Sequence, residues 1–293
     1  MKIKKQSHWK TSRILLNESW KILLNQTGII KIPLQSFFWV MVATLTIGIL
    51  SLVLAIGFDF TGGISGTLAG LENSTSQQNT FLWIGGIIIT IVNQIIITYF
   101  NAGIIHKTNA YLSGENISNK EAFIRTKKRR KAIYLWATIN ATAGIILRQI
   151  TERSRILGKI IATLVGVAWN ILTYFMLPII VLEELDIKQS AKKSTAIIKE
   201  TWGEAFLTNI GVGLAMSAFV FIGIIVFAGL MLTGSPIIMI AAGVLLSIYI
   251  IGIAIVSSIL NTIVKVMIYR YANKLPLPET TTQHDLLSMF QKK

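Results

Sequence analysis

Three histidines, His8, His106 and His284, are the natural candidates for acid–base or metal chemistry in this 293-residue sequence, and they lie far apart along it. General acid–base catalysis needs ionisable groups converging on one reacting atom, and no two of these can share a helical turn. No HExxH, GxSxG or Walker-type phosphate loop occurs. There is no cysteine, hence no thiolate ligand and no disulfide framework. Hydrolysis in a membrane plane would want buried acids, yet no Asp or Glu lies well inside an apolar run. The sequence therefore predicts no enzyme, cofactor or metal.

The remaining polar groups suit binding or packing. Asn93, Gln94, Asn140, Asn170 and Asn261 fall inside apolar runs. There they either hydrogen-bond across helices or line a polar path. Lys265 is the one cation in such a run, close enough to its end for snorkelling. The consecutive cations Lys127, Lys128, Arg129, Arg130 and Lys131 read either as a solvated surface or as a dock for a phosphoinositide-like lipid or an acidic partner. Arg148 and Glu152, four apart, can pair on one helical face, as can Glu152 and Arg155. Trp20 and Trp202 are expected as interfacial anchors, Glu200 and Glu204 as surface partners for nearby lysines, and His106 as a solvated side chain at a membrane edge.

These residues are set among apolar stretches too long for a soluble core. The sequence is 53% hydrophobic and 14% charged, whereas a soluble domain carries about a quarter charged residues. The net charge of +15 would suit nucleic acid, but the Lys and Arg residues sit between and outside the apolar runs, as membrane flanks do. The expected class is an all-α polytopic membrane bundle of about six spans. Residues 1–33 form a cytoplasmic interfacial helix ended by Pro33, 34–270 the membrane domain and 271–293 a flexible tail with a short helix at 286–290. In the first helix Leu16, Trp20, Leu23 and Leu24 recur at spacings of three and four, which places them on one lipid-facing side.

Leu34–Phe58 is uncharged over 25 residues, more than the about 20 that cross a hydrocarbon core. No small-residue cleavage site follows it, so an uncleaved first span is expected rather than a signal peptide. A Gly-, Ser- and Asn-rich loop at 59–79, with Gly62, Gly66 and Gly70, suits the non-cytoplasmic side. Thr80–Ile105 is the second span, and the segment from Lys107 to Lys131 carries eight basic residues, a cytoplasmic density. Ala132–Leu147 is apolar for only 16 residues before a basic turn at 148–159. A full crossing puts that turn outside, against the positive-inside trend; a re-entrant dip, or neutralisation of the turn by Glu152, relieves the conflict. Ile160–Leu182, Ala205–Leu232 and Ile237–Tyr269 complete the spans, with a tight turn at 233–236, and the last run is long enough for Lys265 and Arg270 to project into the cytoplasm. With both termini inside, 24 of the 28 Lys and Arg are cytoplasmic, all but Arg148, Arg153, Arg155 and Lys159.

Ser12–Leu24 aligns with Ser194–Phe206, pairing Glu18 with Glu200, Ser19 with Thr201 and Trp20 with Trp202, each just before a span. A weaker copy at Ser118–Lys131, ahead of Trp136, suggests three units of surface helix plus membrane hairpin. From Tyr99 to Gly211 the chain resembles a prokaryotic family of polytopic membrane proteins of unknown function, similar in plan to the membrane domain beside glycerophosphoryl diester phosphodiesterases. The resemblance rests on Tyr99-Phe100-Asn101-Ala102, Trp136 with Gly144 and Arg148, Glu152-Arg153, Gly158-Lys159-Ile160, Gly166 with Ala168-Trp169, and Pro178 with Glu183. It continues through Lys193-Ser194, Lys199 and Thr201-Trp202-Gly203-Glu204-Ala205, and Glu18-Ser19-Trp20 fits as well. It implies a fold and no activity; the phosphodiesterase half is absent, and the Lys127–Lys131 run departs from the family's usual composition. The function expected is a scaffold or accessory protein of the cell membrane that binds anionic lipid or a membrane protein partner, or forms a homo-oligomer, with no role for nucleic acid. The alternative is a transporter or channel for a small solute or lipid, with the Asn and Gln positions lining its path.

Overall fold

The computed structural model describes residues 8–56, 76–233 and 235–276. Every regular element among them is helical: α1 (His8–Asn25), a 3-10 turn (Thr27–Ile30), α2 (Lys31–Ile56), α3 (Ser76–Leu112), α4 (Asn119–Lys128), α5 (Arg130–Arg153), α6 (Ile156–Leu172), α7 (Met176–Leu182), α8 (Ile187–Met231) and α9 (Pro236–Ala272). Four stretches are long and apolar enough to cross a membrane: Thr27–Ala55, Thr80–Leu112, Ile156–Leu182 and Pro236–Ala272. A shorter apolar stretch, Met216–Met231, lies in α8. The chain is thus an all-α polytopic bundle. Of the loop expected at 59–79, α3 takes the last four residues; the rest, with Gly62, Gly66 and Gly70, lies outside the described residues, as does the tail helix expected at 286–290.

The helices divide into two compact units, one from Met1–Leu34, Asn101–Arg129 and Asn170–Lys293, the other from Gln35–Phe100 and Arg130–Trp169. In the second unit α2 packs on α3 where a Cβ on Gly85 would overlap the Ser51 side chain, and Asn93 Nδ2 donates to Thr44 Oγ1 at 2.9 Å. Close approach at a small residue plus one polar bond is how helices associate in lipid, where no hydrophobic force drives them together. α5 and α6 form an antiparallel hairpin: Trp136 and Trp169 stack at 6.2 Å, Trp169 Nε1 donates to Asn140 Oδ1 at 3.0 Å, and Leu147 faces Gly166. The helix that carries the third apolar run is longer than those 16 uncharged residues, because α5 continues through Arg148 to Arg153 and only Ser154 and Arg155 separate it from α6. At 24 residues α5 spans about 36 Å. Its threonines and Asn140 leave it less apolar than the four stretches above.

In the first unit, burial switches along each helix. On α9, Ile237 and Ile240 are 80% and 71% exposed, as lipid-facing residues are, whereas Ile259, Leu260 and Ile263 are fully buried. α3 likewise turns from exposed Ile87 and Ile88 to buried Ala102, Ile104 and Ile105, and Phe175, Ile179 and Ile180 are buried around α7. A 37-residue helix rises about 55 Å, well beyond a hydrocarbon core of about 30 Å. The surplus turns of α9 pack with α1, α7 and α8 instead of entering water. Arg270 accordingly does not project; it is 3% exposed, and Lys265 is half-buried.

Of the apolar side expected to face lipid, Trp20 and Leu24 are exposed on α1 but Leu23 is buried, along with Leu15, Ser19 and Ile22. The small Ser19 side chain, bonded to its own helix at Leu15 O, lets α1 approach Met267 of α9. Pro33 does not end α1, which stops at Asn25; it sits in the first turn of α2, where its missing N–H costs nothing.

The same helix stop appears three times. Two residues past α3, α7 and α9 stand Gly114 (φ 80°), Glu184 (φ 59°) and Lys274 (φ 54°), the left-handed positions among the described residues. Glu115 N–H bonds to Ala110 O and Leu275 N–H to Arg270 O, both at 2.9 Å, the six-to-one bond of a Schellman cap. Each of the first two stops is followed within a few residues by a side-chain cap, Ser118 for α4 and the Asp186–Gln189 capping box for α8.

Gly85→Val is expected to lower thermal stability in detergent by the about 1–3 kcal/mol typical of overpacking. Gly86→Val, whose Cβ would meet nothing within 4 Å, is expected to leave it near wild type; equal melting of the two variants would contradict this helix contact.

Candidate functional site

The polar groups of the first unit gather where its helices end. Glu183, just past α7, accepts the Tyr269 hydroxyl of α9 at 2.6 Å with one oxygen and pairs with Lys193 of α8 at 2.6 Å with the other. Arg270, the next residue on α9, donates to Asn109 Oδ1 (2.7 Å), Ser113 Oγ (2.8 Å) and Leu112 O (3.3 Å) at the end of α3, and to Pro276 O. A planar fork with five donors can serve several carbonyls at once, and a cation there opposes the negative end of the helix dipole. Buried Lys107 reaches Asn119 Oδ1 at 2.6 Å, and Asn119 Nδ2 donates to Gly28 O at 2.7 Å, tying α3 and α4 to the turn before α2. Asn25–Tyr111 and Gln26–Asn116 bonds add to that seam.

The basic run lies at the junction of α4 and α5, where the helix is interrupted at Arg129. Lys127, Lys128, Arg130 and Lys131 are exposed. Arg129 is drawn inward, its Nη2 donating to Leu185 O at 2.8 Å and its Nε to Ile180 O at 3.3 Å around the end of α7. It differs in role from its four neighbours, because it caps carbonyls that would otherwise be left open. One turn earlier, Arg125 bridges Glu121 (2.9 Å) and Glu115 (3.2 Å), and the Glu121 hydrogen bond pushes its pKa up.

The other expected residues are placed separately. Arg148 and Glu152 pair at 2.7 Å on an exposed face of α5, where solvent screens such pairs. Asn93 and Asn140 bond across helices; Gln94 bonds within α3 to Thr98 and Asn261 within α9 to Ser257. Asn170 is exposed on α6. Trp20 is 44% exposed on the outer side of α1, while the side chains of His8, Trp202, Glu200 and Glu204, and all of His284, lie outside the described residues. His106 is not a solvated edge residue: α3 continues to Leu112, which carries His106 into the packed region, and its Nε2 is buried without a hydrogen-bond partner among the described residues, as is Thr108 Oγ1. The clasp residues Glu183, Tyr269 and Arg270 carry no local motif, since each partner lies on another helix; their one sequence signal is that charge persists at the ends of long apolar runs.

Replacing Arg270 by Met would leave carbonyls at the end of α3 without their donor, for an expected loss of about 3 kcal/mol. Limited proteolysis should then cut faster within residues 113–118, and an unchanged digestion pattern would contradict the clasp. Comparison with known proteins gives one family match, over residues 81–276, to a family model described as a family of unknown function (DUF6159). No curated protein and no solved structure matches the chain. With about two thirds of its length inside that match, from the lipid-exposed part of α3 to the Lys274 stop after α9, the chain belongs to DUF6159, a family of unknown function.

Proposed function

We propose that this protein is a non-catalytic scaffold or accessory protein of a prokaryotic cell membrane, with both termini cytoplasmic, whose surface helices and basic α4–α5 junction hold anionic lipid or a membrane protein partner. One observation carries the reading: Lys127, Lys128, Arg130 and Lys131 are exposed within five residues, and none forms an ion pair among the described residues. Each cation near an anionic bilayer surface contributes about 1 kcal/mol, so four together make a strong local site. The inward bonds of Arg129 tie the end of α4, with Lys127 and Lys128, to the end of α7.

A second reading, a transporter or channel for a small solute or lipid, draws on the interruption at Thr173–Phe175 inside the apolar stretch Ile156–Leu182. Broken helices in membranes expose backbone groups that bind substrates. Flat traces for ions, small solutes and labelled lipids in proteoliposomes would remove it.

The scaffold reading is tested by K127Q/K128Q/R130Q/K131Q, which spares Arg129. Native mass spectrometry of the full chain from mild detergent is expected to show loss of retained anionic lipid or of a co-purifying protein, and high salt should mimic the variant. Unchanged lipid and unchanged co-purification would count against it.

A further inference from the structure

The interruption between α6 and α7 is built into the fold. Pro178 lacks an N–H and its ring crowds the Tyr174 carbonyl, and the chain unwinds over Thr173–Phe175. Ser194, fully buried on α8, repairs the gap: its hydroxyl donates to Leu172 O at 2.7 Å and accepts the Phe175 N–H at 3.3 Å. On α9, Ser257, Asn261 and Lys265 follow one another at four-residue steps on one face. The Lys265 ammonium sits 4.7 Å from the centroid of the Tyr174 ring, at the unwound turn.

Lys265 differs from the other inward cations of its unit. Lys107 has Asn119, Lys193 has Glu183, and Arg129 and Arg270 have carbonyls. Lys265 has an aromatic face, which attracts a cation without consuming its donors. No carboxylate pairs with it among the described residues. Its depth identifies the missing counter-charge: α9 rises about 44 Å from Pro236 to Lys265. A bilayer with its headgroups is about 40–45 Å thick, so with Pro236 at one surface and α9 along the normal, Lys265 comes level with the phosphates of the far leaflet. Apolar surface for acyl chains is present on the membrane side, where Leu172 and Ile248 are exposed.

We propose that Lys265, set over Tyr174 at the α6–α7 break, binds a phosphate oxyanion, carried by a membrane phospholipid. The inference shares with the proposed function only the membrane setting of α9; it does not use the basic run, so the two fail separately.

The test is native mass spectrometry of the detergent-purified full chain titrated with dioctanoyl phosphatidylglycerol, dioctanoylglycerol and inorganic phosphate. Phosphatidylglycerol is expected to bind the wild type and to bind K265Q about tenfold more weakly, the loss of one charge-assisted contact. K265R should restore binding, the basic-run variant should keep it, and dioctanoylglycerol should not bind. Where K265Q does not elute as a single species, Tyr174→Leu, which keeps the charge and removes the ring that positions it, should weaken binding in the same direction. Saturation by inorganic phosphate alone, lost in K265Q, would support the oxyanion site with a soluble source. Equal phosphatidylglycerol affinity in wild type and K265Q, or loss only in the basic-run variant, overturns the proposal.

Discussion

A helix that leaves the hydrocarbon core still has four carbonyls at its end without partners, and the first unit is organised by how those ends are closed. α3, α7 and α9 each stop on a left-handed residue two positions past the helix, and each end is then bound by groups from another helix. Arg270 serves the end of α3, Arg129 the end of α7, and Glu183 joins the ends of α7 and α9 through Tyr269. Two of the three stops use Glu and Lys, for which left-handed backbone costs about 1–2 kcal/mol, and the surrounding packing over-determines the conformation.

Two kinds of cohesion follow from this. Along the apolar stretches, large side chains such as Leu45, Ile84 and Ile240 face outward, and helices touch through small residues and single polar bonds such as Asn93–Thr44. Around the helix ends, the residues are buried as in a soluble core, with Ile104, Phe175, Ile179 and Ile263 almost free of exposure. There cohesion comes from burial of large apolar side chains against one another.

Much of the architecture was legible in the sequence, because the requirement for about 20 apolar residues per crossing writes itself into run lengths. The start of α2, the helices before it and before α5, and the helical continuation into 194–206 follow from that and from the repeat that pairs Glu18-Ser19-Trp20 with Glu200-Thr201-Trp202. What was not legible depends on partners distant in sequence. On α1 the exposure of Trp20 and Leu24 follows from apolar spacing, but the burial of Leu23 and the role of Ser19, whose size admits α9, do not. Arg270 and His106 were placed at edges because nothing in their neighbourhood shows that α3 and α9 end inside a packed region. The left-handed stops at Glu184 and Lys274 carry no glycine to announce them. Arg129 is indistinguishable from its neighbours until the carbonyls of Ile180 and Leu185 are seen beside it.

The contrast between two adjacent elements has a mechanical consequence. From its Asp186 cap to Met231, α8 is one uninterrupted helix of 45 residues, about 68 Å long. Beside it the chain of α6 and α7 is broken at Thr173–Phe175, where the Ser194 hydroxyl of α8 bonds the freed backbone groups. A continuous helix transmits twist and axial load along its length, whereas an unwound turn lets one segment swing against the next. An axial load entering α8 at its Asp186 cap therefore has an unbroken ladder of backbone bonds to follow, while the turn at Thr173–Phe175 depends on Ser194 for its own.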